Sequence, residues 1–186
     1  MTLLVCGLIV FFATHLLPTR PAWRLLLQAK LGPKRYRGLF SLVSMLGFVL
    51  IIVGMGRAPV VSVWETPAWG NMATSLLLAA AIYSLVASFL TSRLSMLTAH
   101  PMLWGVTIWA AGHLISNGDA ASMLLFGSFV LYSLFDMASA NRRGAIPKGR
   151  QSLLKDEAKV LLVTALVFIG LLLAHPYIAG VPVGSF

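Results

Sequence analysis

Six blocks of apolar residues, each about 16 to 21 residues long, constrain this chain more than any other feature of its sequence. Charged or Gly- and Pro-rich segments separate the blocks. A helix needs about 20 predominantly apolar residues to cross a bilayer. The pattern therefore predicts an all-α fold, a polytopic membrane helical bundle of about six transmembrane helices, formed by a single transmembrane domain over residues 1–186. The blocks are Thr2–Leu17, Gly38–Met55, Asn71–Thr91, His100–Ile115, Asp119–Ala138 and Val160–His175.

The composition supports a membrane protein and limits its cysteine chemistry. Hydrophobic residues make up 59% of the chain and charged residues only 10%, whereas soluble domains contain about 25% charged residues. The single cysteine, Cys6, excludes a disulfide, a Cys-pair zinc site and a CxxCH haem attachment, and we expect it to be a small buried side chain. The first block lacks a basic leader and a small-residue cleavage site, which predicts a retained helix rather than a signal peptide.

The distribution of basic residues predicts the orientation in the membrane. Of the 14 Lys and Arg residues, 13 lie in the connections after the first, third and fifth blocks, and only Arg57 lies on the other side. Cytoplasmic loops concentrate Lys and Arg, so these connections are predicted to be inside and both termini outside. The net charge of +9 follows from this topology and from attraction to anionic lipid. It requires no nucleic-acid partner.

The first inner connection, "TRPAWRLLLQAKLGPKRYRG", predicts a short interfacial helix lying on the inner leaflet. Thr19 is a candidate cap, Pro21 lies in the first turn, and Gly32 with the proline after it forms a stop signal. Apolar side chains, among them Trp23 and Leu27, fall on one face of such a helix.

The two longer connections elsewhere carry turn and interface signals. "ANRRGAIPKGRQSLLKDEAK" predicts a turn around Gly144, Pro147 and Gly149, followed by a helical lead into the last block. The outer loop "GRAPVVSVWETPAWG" contains Trp64 and Trp69, which are typical of interface anchors. A substrate lid is the alternative interpretation of this loop.

The carboxylates of the fifth block have structural interpretations. Asp119 follows an Asn-Gly turn and is predicted to cap the helix that begins there. Asp136 is predicted to pair with Arg142 or Arg143 near the other end of the same helix. Because the two carboxylates lie at opposite ends of one helix, they do not form an acid–base pair.

The four histidines, His15, His100, His113 and His175, lie within apolar blocks or at their edges. Ionisable residues inside a membrane are costly and by default indicate function. Imidazole is the usual axial ligand of haem in a helix bundle, so the histidines predict a haem site. In the alternative interpretation they make hydrogen bonds between helices, and the chain is a non-enzymatic membrane assembly partner or structural partner of a respiratory complex.

Helix geometry limits which histidines can share a haem. His100 and His113 would be about 20 Å apart along one helix and about 140° apart around it, so one haem cannot use both. By depth, His15 falls with His100 near the inner face, and His113 falls with His175 near the outer face. Gly112, beside His113, lets either a neighbouring helix or a flat macrocycle approach closely.

Two segments, "FFATHLLPTRPAWRLLLQAKLGPKRYRGLFSLVSMLGF" and "HPMLWGVTIWAAGHLISNGD", resemble the NnrU family of bacterial membrane proteins. The resemblance covers most of the chain and implies a multi-pass protein of the bacterial inner membrane. It also implies a link to nitrite and nitric oxide metabolism in denitrification, with nitric oxide as an expected ligand.

The same family includes the plant 15-cis-zeta-carotene isomerase, which binds haem b and isomerises a polyene when the iron is reduced. The resemblance thus implies haem b as cofactor, His15 and His113 as its iron ligands, and His100 as the next candidate. Trp109 and Gly112 are expected to shape the pocket. The isomerase pattern "HTLWIGN" is "HLISNGD" here, so His113 and the Asn-Gly pair are present and the aromatic residue is replaced. Enzymatic activity is therefore left open, with a haem-dependent isomerisation as the candidate.

An HP dipeptide also begins a span in membrane methyltransferases that bind S-adenosylmethionine. Those enzymes pair it with a later Glu/Arg cluster. This chain offers Glu157 beside Asp156, and Arg142 beside Arg143, as the only such residues.

Overall fold

The computed structural model describes residues 1–147 and 151–180, and these are almost entirely helical. Apart from helices and turns, the described residues form one isolated bridge between Ser62 and Asp119. The all-α prediction is therefore confirmed. The α-helices of the described residues are α1 (Thr2–Leu16), α2 (Pro21–Leu31), α3 (Pro33–Gly56), α4 (Gly70–Phe89), α5 (Arg93–Leu97), α6 (Pro101–Ser116), α7 (Ala120–Arg142) and α8 (Leu154–Ala179).

Five segments of the described residues are long and apolar enough to cross a membrane, which makes this a multi-pass membrane protein. They are α1 with the turn after it, α3, α4, α7 and α8. The fourth predicted span is α6, which has only 16 residues and extends about 24 Å against a hydrocarbon core of about 30 Å. The prediction of about six spans is thus revised to five full-length candidates and one shorter apolar helix. The placement of both termini outside stays a prediction.

Several helices extend beyond the apolar blocks that predicted them. α3 begins at Pro33 instead of Gly38, and α8 begins at Leu154 instead of Val160. The blocks mark only the apolar part, whereas the helical hydrogen bonds continue through flanking charged residues. The helical lead into the last span is confirmed, and Gly144 adopts a left-handed turn conformation with φ 82°. Gly149, also assigned to that turn, lies outside the described residues.

The contacts divide the chain into two compact units, and the first is Met1–Val61. In it α1 and α3 pack through glycines. A Cβ on Gly7 would lie 2.6 Å from the Ile51 backbone nitrogen, and one on Gly47 would lie 2.8 Å from that of Phe11. Glycine at these positions lets the two backbones touch. The single domain predicted from the sequence stays a prediction.

Two local predictions in this unit are wrong. Cys6 is exposed rather than buried, because the α1–α3 contact uses Leu4 and Gly7 and leaves Cys6 off that face. Thr19 does not cap α2, since its hydroxyl donates to the Leu16 carbonyl at 2.7 Å and Arg20 occupies the cap position. The helix itself begins and ends where the sequence predicted.

In the second unit, which begins at Ser62, α6 packs against both α4 and α7. The buried Thr74 hydroxyl of α4 donates to the Gly112 carbonyl of α6 at 2.7 Å. On the α7 side, the hydroxyls of Thr107 and Ser133 lie 2.8 Å apart. These polar contacts fix α6 between its neighbours, and two of the candidate histidines belong to it: His113 lies within the helix and His100 is its cap residue.

Candidate functional site

The first candidate ligand, His113, is held in one tautomer by its own helix. Its Nδ1 lies 2.9 Å from the carbonyl oxygen of Trp109, four residues earlier. A carbonyl can only accept, so Nδ1 carries the proton and the lone pair of the neutral ring is on Nε2. The half-buried ring therefore carries its lone pair on Nε2, which is the nitrogen with which it can act as an acceptor.

Aromatic rings fix the orientation of this imidazole. Phe126 of α7 stacks on His113 with centroids 4.5 Å apart and an interplanar angle of 25°. Trp109 lies 5.2 Å from the His113 ring and meets Phe126 edge to face. Trp109 meets Phe129 in the same way. Trp109 therefore contacts the His113 ring, and its expected role in shaping a cofactor pocket stays a prediction.

Gly112, next to His113 in the chain, packs against α4 and not against the aromatic rings of α7. A Cβ at Gly112 would lie 3.3 Å from the Leu77 side chain of α4, and the Gly112 carbonyl accepts from Thr74. Of the two roles predicted for it, close packing of a neighbouring helix is the one observed. The space beside Gly112 is taken by α4, so it is not a cradle for a macrocycle.

His15, at the end of α1, repeats the arrangement of His113 in the first unit. Its Nδ1 lies 2.8 Å from the Phe11 carbonyl oxygen, again four residues earlier. The ring stacks on Phe11 with centroids 4.0 Å apart, and Phe40 of α3 lies 5.4 Å away. The same argument assigns the proton to Nδ1 and the lone pair to Nε2.

His100 is held differently, through Nε2. This nitrogen lies 2.6 Å from the side-chain oxygen of Asn141 in α7, so Nε2 carries the proton. The His100 backbone N–H donates to the Thr98 hydroxyl at 3.1 Å. His100 is the cap residue of α6, and Pro101 occupies the first turn, where a missing N–H costs nothing. The HP dipeptide is thus explained as a helix start.

The fourth histidine, His175, interacts electrostatically with His113. The placement of both histidines near the outer face of the membrane stays a prediction. Over residues 1–147 and 151–180, no three His, Cys, Asp or Glu side chains gather into a metal cluster.

The two predicted carboxylate roles are confirmed. Asp119 caps α7, accepting from the backbone N–H groups of Ala121 and Ser122 at 3.0 Å each. Asp136 pairs with Arg143 at 3.8 Å and accepts from the Tyr132 hydroxyl at 3.4 Å. Both are structural contacts at the ends of one helix.

No pattern in the sequence indicated the structural role of Glu157. Its carboxylate accepts from the Arg93 backbone N–H, from the Ser152 hydroxyl at 2.8 Å and from the Tyr83 hydroxyl at 3.0 Å. These hydrogen bonds connect the start of α8 to α4 and α5. Its observed partners are not those of the Glu/Arg cluster expected of a methyltransferase, and they leave no support for that resemblance.

The outer loop is attached to the connection between α6 and α7. The backbone N–H groups of Val63 and Trp64 donate to the Gly118 carbonyl at 2.7 and 3.1 Å. Trp64 and Trp69 are both exposed, and their role as interface anchors stays a prediction.

A comparison with protein-family models gives a match to the family described as NnrU protein over residues 3–183, nearly the whole chain. The matched range contains all four histidines and all the helices described above except the first residue of α1, Thr2. No match was found among curated proteins or among solved structures.

Proposed function

This chain belongs to the NnrU family, and we propose that it binds haem b in the bacterial inner membrane, with His113 and His15 as iron ligands. One observation carries the proposal. Each of these imidazoles donates its Nδ1 proton to a carbonyl of its own helix and stacks on a phenylalanine. Metal-binding histidines characteristically hold the second nitrogen in this way, which fixes the tautomer and raises the basicity of the ligand.

The contacts of His100 support ranking it behind His113. The Asn141 oxygen occupies the Nε2 side of His100 at 2.6 Å, so ligation through Nε2 would require breaking that hydrogen bond. Only Nδ1 would remain as a ligand nitrogen. His113 needs no such rearrangement.

The same contacts weigh against the assembly-partner hypothesis. That hypothesis assigns the histidines to hydrogen bonds between helices, and the bond from His100 to Asn141 fits it. The Nδ1 bonds of His15 and His113 remain within single helices and join no neighbour. They orient a ring without contributing to assembly.

We further propose that the protein acts in nitrite or nitric oxide metabolism or in a redox-dependent isomerisation of a polyene. When bound, the haem supplies ligand binding and one-electron chemistry at iron, and the protein sets ligation and access. Phe126 and Trp109 cover the His113 ring with apolar surface, which excludes water from that side. Nitric oxide and a hydrophobic polyene are the candidate ligands to be tested.

The test is a haem assay on purified protein from haem-replete cells. We expect a Soret band and a protohaem-type pyridine haemochrome in the wild type, and loss of both in His113→Ala and in His15→Ala. His100→Ala is the matched control and should retain haem. Colourless wild-type protein, or full haem content in both His113→Ala and His15→Ala, would refute the proposal. Titrating the reduced wild type with nitric oxide, and incubating it with a cis polyene, then separates the two activities.

A further inference from the structure

A row of rings beside His15 ends in a buried hydroxyl. The ring centroids of Phe40 in α3 and His15 are 5.4 Å apart. Tyr36 lies one turn earlier in α3, and its ring centroid is 6.3 Å from that of Phe40. Tyr36 is only 8% exposed. Among the residues that the structure describes, its hydroxyl has no hydrogen-bond partner.

A buried hydroxyl without a partner is unusual in a native protein, because it has lost its water and gained nothing in exchange. A tyrosine kept in such a place would be better replaced by phenylalanine unless something binds the hydroxyl. The observation therefore points to a missing acceptor beside Tyr36.

The charge of this unit indicates what kind of acceptor is missing. Lys34, Arg35 and Arg37 surround Tyr36 in the chain, and residues 1–61 contain no Asp or Glu. Tyr36 is buried and these three side chains are exposed on the same turns of α3, so the unit supplies cations near this part of the helix and no carboxylate of its own. An anionic oxygen from a bound molecule would satisfy the hydroxyl and be attracted by the neighbouring cations.

We infer that the Tyr36 hydroxyl donates a hydrogen bond to a propionate carboxylate of haem bound at His15. This inference rests on the proposed function, which places the haem iron at His15 and leaves its carboxylates without assigned partners. A lipid phosphate offers the same anionic oxygen, so the experiment must distinguish the two sources.

The test compares wild type with Tyr36→Phe in nanodiscs made of phosphatidylcholine alone. We expect haem transfer to excess apomyoglobin to be at least about tenfold faster from the variant, since a hydrogen bond to a charged group is lost. The haem-free variant should unfold at the same temperature as wild type or higher, because removing an unpaired hydroxyl costs nothing. Tyr177→Phe is the matched control: Tyr177 is 91% exposed, and its variant should match wild type in both measurements.

Reconstitution with haem dimethyl ester gives a second arm. The ester has no charged propionates, so wild type and Tyr36→Phe should release it at the same rate. Equal release of ordinary haem from the two proteins would overturn the inference while leaving haem binding intact. An effect seen only in nanodiscs with added phosphatidylglycerol would assign the acceptor to lipid and overturn it as well. Wild-type protein without any haem would refute the proposed function, and this inference with it.

Discussion

The two histidines of α6 show how differently one helix can use the same side chain. His100 caps the start of the helix, and its Nε2 is bound by Asn141 of α7. His113 lies three turns later, where its Nδ1 bonds to its own helix and its face stacks on Phe126. His100 therefore joins two helices, whereas His113 is oriented with its Nε2 lone pair available for a ligand.

A histidine in a membrane helix must therefore be judged by which ring nitrogen the protein already uses. An Nδ1 bond to the carbonyl four residues earlier fixes the ring and contributes nothing to helix assembly. An Nε2 bond to a neighbouring helix contributes to assembly and removes the usual ligand nitrogen. Four experiments test this contrast.

The largest effect is expected from replacing each histidine by glycine and supplying free imidazole. We expect His113→Gly to lose its Soret band and to recover it with millimolar imidazole, because the added ring can occupy the space left at the iron. His100→Gly should keep the band without imidazole. Absorption spectra of both purified variants decide this, and a His100→Gly variant that needs imidazole would reverse the assignment.

The next effect concerns the ring that stacks on His113. Phe126→Ala should lower the free energy of unfolding by about 3–5 kcal/mol, since Phe126 is buried and its removal leaves a cavity. Haem should also be released faster as His113 loses its orientation. Phe135→Ala on the same helix is the control, because Phe135 is 52% exposed. Denaturant unfolding in detergent measures the difference, and equal losses for the two variants would contradict the account.

Replacing the glycines of α6 by alanine is expected to have a smaller effect on stability. A Cβ on Gly105 would meet Leu85 at 2.7 Å and the Ala81 carbonyl oxygen at 2.9 Å, so Gly105→Ala should destabilise the fold by about 1–3 kcal/mol. Gly112→Ala, with its nearest neighbour at 3.3 Å, should cost less. Gly127→Ala meets no atom within 4 Å and serves as the control. A Gly127→Ala variant as unstable as Gly105→Ala would show that helix contact is not the cause.

The smallest effect is expected from removing the hydrogen-bond partner of His100. Asn141→Ala removes the acceptor of His100, and we expect a loss of about 0.5–1.5 kcal/mol in the free energy of unfolding. Haem content should stay at the wild-type level. Thermal unfolding and the pyridine haemochrome, measured on one preparation, check both statements. Loss of haem in Asn141→Ala would place His100 in the binding site.

Features that depend on neighbours in sequence were predictable, and those that depend on distant residues were not. The Asp119 cap and the pairing of Asp136 with Arg143 involve residues within one or two turns, so the sequence predicted them. The contact of Glu157 with Tyr83 joins residues 74 positions apart, and no local pattern reveals it. For the same reason the sequence left Asn141 unrecognised as the partner of His100.

The prediction that Cys6 is buried was wrong for a related reason. Cys6 is apolar in character, and its exposure is decided by which face of α1 meets α3. In a membrane helix both faces are apolar, so the sequence pattern does not distinguish the packed face from the lipid face. The glycine positions Gly7 and Gly47 would have indicated that face more reliably than hydrophobicity.

The most direct test of the central claim is the nitrogen coupling to ferric haem iron, measured by electron–nuclear double resonance on protein containing histidine labelled with the heavy nitrogen isotope. We predict two strongly coupled labelled nitrogens in wild type, from His15 and His113, and replacement of one of them by an unlabelled nitrogen when His113→Gly is rescued with unlabelled imidazole. His100→Gly should give the wild-type spectrum. A His113→Gly spectrum identical to wild type would show that His113 does not bind the iron, and would contradict the account.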